Sequence, residues 1–401
     1  MIFFTIIILV LVSVVMVARA LLLPSGYATV TVNGSQTLEV PRRGKLLSSL
    51  ADNGIFLPAA CGGKGSCGQC RVKLLDHVPA PLTTERAQLT ANEIRTGYRL
   101  ACALRVRGDL NLQLSAELLE IRRYPCEVIS NRNVATFLKE LVLRMPPEAG
   151  FSFEAGEYIL LDAPPHELRF ADFEIPSSLR QDWAEFGYLD YVSRTEEKAT
   201  RAYSLANYPG EDNIITLVVR IALPPPNAPP QTPPGQVSSY IFGLKPGDTV
   251  VIAGPFGDFH ATGTDREMVF IGGGAGIAPL RSIILDQLLN RRTHRSITFW
   301  YGARNLNEIC YRDEFDRLAS QFSNFQWHVV LSEVRSDEHW AGYSGFVHES
   351  VHQHFLVNHP APEEAEYYIC GPPLMSAAVI DLLEDFGVDR DNILIDSFEN
   401  G

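Results

Sequence analysis

The sequence predicts a multidomain chain: an N-terminal transmembrane helix, a small β-rich module around a cysteine loop, an antiparallel β-barrel, and an α/β domain with a doubly wound parallel sheet. Three observations predict it. Residues 2–18 carry no charge. Cys61, Cys67 and Cys70 crowd one glycine-rich loop, with Cys102 on a later segment. From Glu267 onward strand-like and helix-like segments alternate, opening at Gly272-Gly273-Gly274-Ala275-Gly276. The 401 residues allow several domains, and 46% hydrophobic content suits ordinary packed cores. A net charge of -13 excludes a nucleic-acid role, which needs clustered Lys and Arg.

The first element follows from length and charge. An apolar run through Leu23, broken only at Arg19, is long enough as a helix to span a hydrocarbon core of roughly 30 Å. A cleaved signal peptide is the alternative, since Ala18-Arg19-Ala20 has the small residues of a cleavage site, but no Lys or Arg precedes the run. The nearest positive charges, Arg19, Arg42, Arg43 and Lys45, lie C-terminal to it, which puts that side in the cytoplasm. An anchor over residues 1–24 is the expectation.

The next module, residues 25–122, opens with alternating residues from Tyr27 to Val32, an Asn33-Gly34 turn and a returning strand to Val40. Leu46, Leu47, Leu50 and Ala51 have helical spacing and stop at Gly54. Cys61-Gly-Gly-Lys-Gly-Ser-Cys67-Gly-Gln-Cys70 follows, then strands at 71–75 and 110–114 with Cys102 between them. Four thiolates with glycines between them suit a [2Fe-2S] cluster, in which each iron takes two cysteine ligands and backbone amides approach the sulfides. Structural zinc prefers paired C-x2-C knuckles, and seven cysteines make an odd number for a disulfide framework. Cys61, Cys67, Cys70 and Cys102 are therefore the candidate metal ligands. The pattern resembles plant and vertebrate-type ferredoxins, with one residue more in the first gap than the plant-type C-x4-C, and implies a β-grasp fold.

Residues 123–260 show short β runs punctuated by Gly and Pro, as in a small antiparallel barrel. Arg201-Ala-Tyr203-Ser204-Leu-Ala-Asn207 resembles the R-x-Y-S signature of the ferredoxin-NADP reductase superfamily. That resemblance implies FAD, with Arg201 at the pyrophosphate, Tyr203 on the isoalloxazine and Ser204 bonded to the reactive ring nitrogen. Gly235-Gln-Val237-Ser238 resembles the family's G-x-x-S segment, whose helix N-terminus offers amides to phosphate. Residues 163–200 form an insertion with Phe170, Phe173, Trp183, Phe186, Tyr188 and Tyr191, which reads either as surface decoration or as a docking face for partner subunits. Neither it nor the Pro-rich tract at 224–234 looks like core.

In residues 261–401 a strand ending at Ile271 runs into the glycine turn. Glycines there let a dinucleotide's phosphates approach backbone amides and the helix dipole, which singles out Gly273, Gly274 and Gly276. Helix 283–290 and strands at 296–301, 325–331 and 366–370 complete the alternation. Cys370-Gly371-Pro372-Pro373 resembles the reductase family's C-G-P-x segment, which places the cysteine beside the nicotinamide. After Leu331 stand Ser332 and Glu333. A carboxylate there repels a 2′-phosphate and accepts from a ribose hydroxyl, so NADH is favoured, although Arg335 is near. By resemblance, the terminal aromatic Phe398 shields the flavin, and Ser204, Cys370, Phe398 and Glu399 form the catalytic group.

The order anchor, ferredoxin, flavin barrel and dinucleotide domain, together with the Pro-rich tract Ala222 to Ile241 and the long insertion, resembles the family of F subunits of sodium-translocating NADH:quinone reductases. The resemblance implies a single-pass component of the bacterial inner membrane with its soluble domains in the cytoplasm. NADH would be the substrate, with FAD and a [2Fe-2S] cluster as cofactors, other subunits as partners and ubiquinone as final acceptor, coupled to sodium export. The reductase component of a multicomponent oxygenase shares the three soluble modules but has no need of an anchor. A non-catalytic scaffold would not need Arg201, Tyr203, Ser204, the glycine turn and Cys370 together.

Overall fold

The computed structural model describes residues 4–9, 11–14, 26–225, 228–229, 232–335 and 339–397. They fall into two compact units: residues up to 59 with 63–121, and residues 60–62 with 122 onward. Helical turns at 4–9 and 11–14 carry exposed apolar side chains such as Phe4, Leu9 and Leu11. Among the described residues no helix is long and apolar enough to cross a membrane. The rest of the expected anchor lies outside them.

The first unit is a five-stranded mixed sheet in the order β2-β1-β5-β3-β4, from β1 (Tyr27–Val32), β2 (Gln36–Pro41), β3 (Arg71–Leu74), β4 (Tyr98–Leu100) and β5 (Leu110–Gln113). The β1-β2 hairpin turns at Asn33 (φ 52°) and Gly34 (φ 68°), the left-handed pair that matches the strand twist. Helix α1 (Leu46–Asp52) buries Leu46 and Leu50 in one core with Val30, Val72 and Leu112. Those positions follow from the alternation and helical spacing read in the sequence.

In the second unit a six-stranded antiparallel sheet, in the order β11-β8-β13-β6-β7-β12, is made of β6 (Arg122–Ala135), β7 (Leu138–Arg144), β8 (Tyr158–Ala163), β11 (Ala199–Ser204), β12 (Ile214–Arg220) and β13 (Thr249–Phe256). An antiparallel bridge between Leu205 and Leu217 joins its two edges, which makes it a barrel. The insertion contributes a hairpin, β9 (His166–Arg169) with β10 (Val192–Thr195), and helix α2 (Ser177–Glu185).

The insertion is not surface decoration. Phe170 and Trp183 are fully buried, and Phe173 nearly so, in the same core as Leu141, Ile159, Leu217 and Phe242. The Trp183 indole N–H donates to the Thr136 carbonyl at 2.8 Å, which satisfies its one polar group. Burial of this size is worth about 2–3 kcal/mol per large side chain. The sequence hid it because aromatic and acidic residues alternate irregularly, with no single apolar face.

The same unit continues into a parallel sheet in the order β17-β16-β15-β14-β18-β19: β14 (Met268–Gly273), β15 (Ile297–Ala303), β16 (Phe325–Leu331), β17 (Tyr343–Ser344), β18 (Glu366–Gly371) and β19 (Ile393–Ser397). Met268, Phe270 and Phe299 pack with Ile283 and Phe315, which lie on helix α4 (Ile277–Leu285) and helix α5 (Arg312–Gln321). Val269, Ile271 and Trp300 face the other way, onto Val351 of α6 (Val347–His354) and Val379 of α7 (Pro373–Asp385). Helices on both faces explain why every residue of β14 and β18 is buried.

Candidate active site

The cysteine loop is built by backbone that only glycine adopts readily. Gly63, Gly65 and Gly68 have φ of 81°, 88° and 69°, and a Cβ on Gly63 would lie 3.2 Å from the Leu47 side chain and 3.7 Å from the Cys102 Cβ. The Ala101 N–H donates to the Cys70 carbonyl at 2.8 Å, which draws Cys102 to Cys70. Cys61, Cys70 and Cys102 are buried and Cys67 half-buried, and none is in a disulfide. A hydrogen bond with Cys102, burial and the neighbouring sulfur push the Cys70 thiol far above its usual range. Such thiols ionise only when a metal's charge compensates them.

Among the described residues no three or more His, Cys, Asp or Glu side chains converge as ligands of one ion. A two-iron cluster does not require that, because its four thiolates divide into pairs on two irons. The donor set fits a [2Fe-2S] group, with three buried sulfur ligands, a fourth half-buried, and glycines at the turns of the wrap.

Ser204 closes β11 and is buried; its hydroxyl donates to Oδ2 of Asp396 on β19 at 3.0 Å. Asp396 lies opposite Cys370 in the parallel β18-β19 register. Burial pushes the Asp396 carboxyl up to about 6, against a lowering by Ser204 and a further rise from Asp258. Cys370 is fully buried, and burial together with the Asp396 charge raises its thiol well above its ordinary value. The end of a barrel strand thus meets the C-terminal edge of the parallel sheet, the edge where open α/β sheets bind ligands.

Helix α4 fixes that meeting. Arg281, 7% exposed, donates to the Ala206 carbonyl and pairs through two nitrogens with Glu314 at 2.6 and 2.7 Å. Ser282 donates to the Asn207 carbonyl at 2.6 Å. The two residues after Leu205 are thereby tied to the helix that starts at the glycine turn. Sequence reasoning missed Asp396, Arg281 and Ser282; an arginine among the apolar residues 277–285, a helix that begins earlier than the expected 283–290, was the signal available for the second.

Of the residues assigned to the flavin, Arg201 and Tyr203 are half-buried on β11, and burial raises the Tyr203 phenol above its usual range. Asn207 is fully buried with its amide spent on the chain, donating to Ile214 O at 2.7 Å and accepting from Thr216 N at 2.9 Å. Gly235 precedes α3 (Gln236–Gly243), where a Cβ would fall 2.6 Å from that of Ala222. Ser238 is also engaged, accepting from Ala222 N and donating to Gly235 O, each at 3.1 Å, and Val237 is core. No side chain caps the N-terminus of α3, so its first amides suit a phosphate. A half-buried tyrosine and arginine beside an uncapped helix fit FAD.

At the dinucleotide edge Gly273 ends β14, Gly274 (φ 59°) turns the chain, and Gly276 starts α4, again without a side-chain cap. A Cβ on Gly276 would sit 2.0 Å from the Cys370 carbonyl oxygen, so the turn can lie against β18 only as glycine. Gly371 ends β18 and Pro372 precedes α7. Glu333 is exposed past the end of β16. These features fit a dinucleotide. Phe398 and Glu399 lie outside the described residues.

Comparison with known proteins follows this division. Residues 30–107 match the 2Fe-2S iron-sulfur cluster binding domain, 165–261 the oxidoreductase FAD-binding domain and 270–381 the oxidoreductase NAD-binding domain. In solved structures, an Amycolatopsis cytochrome P450 reductase superposes with a TM-score of 0.63 at 25% identity, covering 92% of this chain and 98% of that one. The ferredoxin reductase of carbazole 1,9a-dioxygenase, at 24% identity and a TM-score of 0.61, shares the fold over 94% of this chain and 99% of its own. In sequence, the F subunit of the Na(+)-translocating NADH-quinone reductase of Neisseria meningitidis serogroup C is 50% identical over 395 residues, 98% of this chain and 97% of that protein. Its namesake in Psychrobacter arcticus is 47% identical over 397 residues, with the same coverage. With similarity of that depth along nearly the whole length of both partners, the chain belongs to the family of Na(+)-translocating NADH-quinone reductase F subunits.

Proposed function

We propose that this chain is the NADH-oxidising component of a sodium-translocating NADH:quinone reductase, delivering electrons from NADH to other subunits and finally to ubiquinone. One observation carries the reading: Ser204 of the barrel bonds Asp396, the register partner of Cys370 at the edge of the dinucleotide sheet, so flavin and nicotinamide sites share a boundary. Bound FAD takes an electron pair from NADH and releases electrons singly, the conversion that a one-electron [2Fe-2S] cluster needs.

The chain's own residues orient and enclose. Cys61, Cys67, Cys70 and Cys102 hold iron. Arg201, with the amides after Gly235 around Val237 and Ser238, neutralises the flavin pyrophosphate. Tyr203 would pack on the ring and Ser204 with Cys370 would serve the reacting face, while Asn207 holds the strand end. Gly273, Gly274 and Gly276 admit the nicotinamide dinucleotide beside Gly371 and Pro372, and Glu333 accepts from its ribose. We divide the chain as anchor 1–24, ferredoxin 25–122, flavin barrel 123–260 and dinucleotide domain 261–401, and the three family ranges support the last three of these parts.

The uncharged run at 2–18 and the exposed Phe4, Leu9 and Leu11 support an inner-membrane anchor with the soluble domains in the cytoplasm. The test is an anaerobic NADH titration of the detergent-solubilised full chain, read by absorbance and low-temperature EPR, followed by addition to membranes that lack only this component. Restored quinone reduction that depends on sodium is expected. Reduction of a soluble oxygenase, with none of the quinone, would instead favour the oxygenase-reductase reading.

A further inference from the structure

The edge that reads the adenosine end of the dinucleotide carries two arginines, and the barrel side engages both. Ser332 and Glu333 donate their amides to the carbonyls of Ala303 and Arg304 at 3.0 and 2.7 Å, so Arg304 and Glu333 stand together where β15 and β16 end. Arg304 pairs with Glu308 at 3.4 Å and lies over the Phe137 ring at 5.4 Å. Arg335, two residues beyond Glu333, pairs with Asp182 at 2.9 Å.

Asp182 is not a loose surface carboxylate. Its side chain is 6% exposed, it accepts from the Thr136 hydroxyl at 3.4 Å, and its neighbour Trp183 is locked in the barrel core and bonded to the Thr136 carbonyl. Arg335 is 37% exposed. A guanidinium held at one nitrogen by a nearly buried, fixed carboxylate has its charge compensated, and releasing it leaves a buried charge unpaired. Glu333 meanwhile stands exposed at the same edge.

We propose that Asp182, carried by the insertion helix α2, is a determinant of dinucleotide specificity: it withholds Arg335 from the adenosine ribose, so that a 2′-phosphate meets the Glu333 carboxylate without a free cation. The proposal rests on the NADH reading above. It gives the insertion a task that neither packing nor partner docking supplies.

The test is isothermal titration calorimetry of the full chain, FAD- and cluster-loaded, with ADP-ribose and with 2′-phospho-ADP-ribose. In Asp182→Asn, which keeps the volume, affinity for the 2′-phosphorylated ligand rises roughly tenfold while that for ADP-ribose stays the same. Arg335→Ala alone changes neither, and the double variant loses the gain. The kcat/KM ratio for NADPH over NADH moves in parallel. Equal loss for both ligands in Asp182→Asn means a merely structural role and overturns the proposal, as does a gain that survives in the double variant. Arg335→Ala gives a check that does not depend on the folding of Asp182→Asn: if it weakens the phosphorylated ligand more than about twofold, Arg335 is already available and the proposal fails. If wild type binds neither ligand, the dinucleotide reading itself falls and takes the proposal with it.

Discussion

The Ser204 hydroxyl and the Asp396 carboxylate, 192 residues apart in sequence, are joined by a 3.0 Å hydrogen bond at the seam between barrel and parallel sheet. The bond couples the end of a barrel strand to a carboxyl whose proton is held to about pH 6.

A pH dependence follows. Burial raises the Asp396 carboxyl from 3.8 to about 6, so the folded chain holds a proton that the unfolded chain has released across that window. The stabilisation from this group is complete below the window and lost as pH rises through it, by about 3 kcal/mol. Asp396→Asn has no such window. Thermal unfolding of both proteins from pH 4 to 7 checks this: the wild-type Tm falls relative to the variant by several degrees as pH rises. Parallel curves would show that Asp396 titrates normally.

Ser204→Ala removes the donor to Asp396 while leaving Arg201 and the α3 N-terminus in place. FAD content stays near wild type, and stopped-flow flavin reduction by NADH slows by roughly 10- to 100-fold. Because the Ser204 bond lowers the Asp396 carboxyl, its loss also moves that proton further up. A variant that loses FAD altogether would instead assign Ser204 to cofactor retention.

Cys70→Ala separates the two units chemically. NADH oxidation with an artificial two-electron dye stays near wild type, and the EPR signal of the reduced [2Fe-2S] centre disappears. Loss of dye activity in a folded, FAD-replete variant would contradict independent function of the flavin and dinucleotide modules.

Much of the candidate site is legible because its motifs are local in sequence. The cysteine loop, Arg201-Ala-Tyr203-Ser204, the glycine turn and Cys370-Gly371-Pro372 each gather candidate residues into a few adjacent positions, and the alternating strands give the parallel sheet. Contacts between distant segments were not legible. Nothing in the sequence singles out Asp396, Asp182 or Ser282. Their contacts come from the β18–β19 register for Asp396, from Thr136 and Arg335 for Asp182 and from the Asn207 carbonyl for Ser282, pairings of distant segments that no periodicity encodes.

Trp183→Ala tests the buried insertion. Removing a fully buried indole bonded to Thr136 costs about 3–5 kcal/mol, read as a lower Tm of the flavin-bearing unit. A change of less than about 1 kcal/mol would restore the view of residues 163–200 as peripheral.

The insertion also limits how the modules can be recombined. Thr136 at the end of a barrel strand binds Trp183 and Asp182, and Asp182 reaches Arg335 beyond β16. A chimaera that takes its dinucleotide half from a relative lacking a cation at position 335 would strand the Asp182 charge inside the barrel's flank. Lineages of this architecture are thus expected to inherit flavin and dinucleotide halves as a pair, with residues 182 and 335 drifting together.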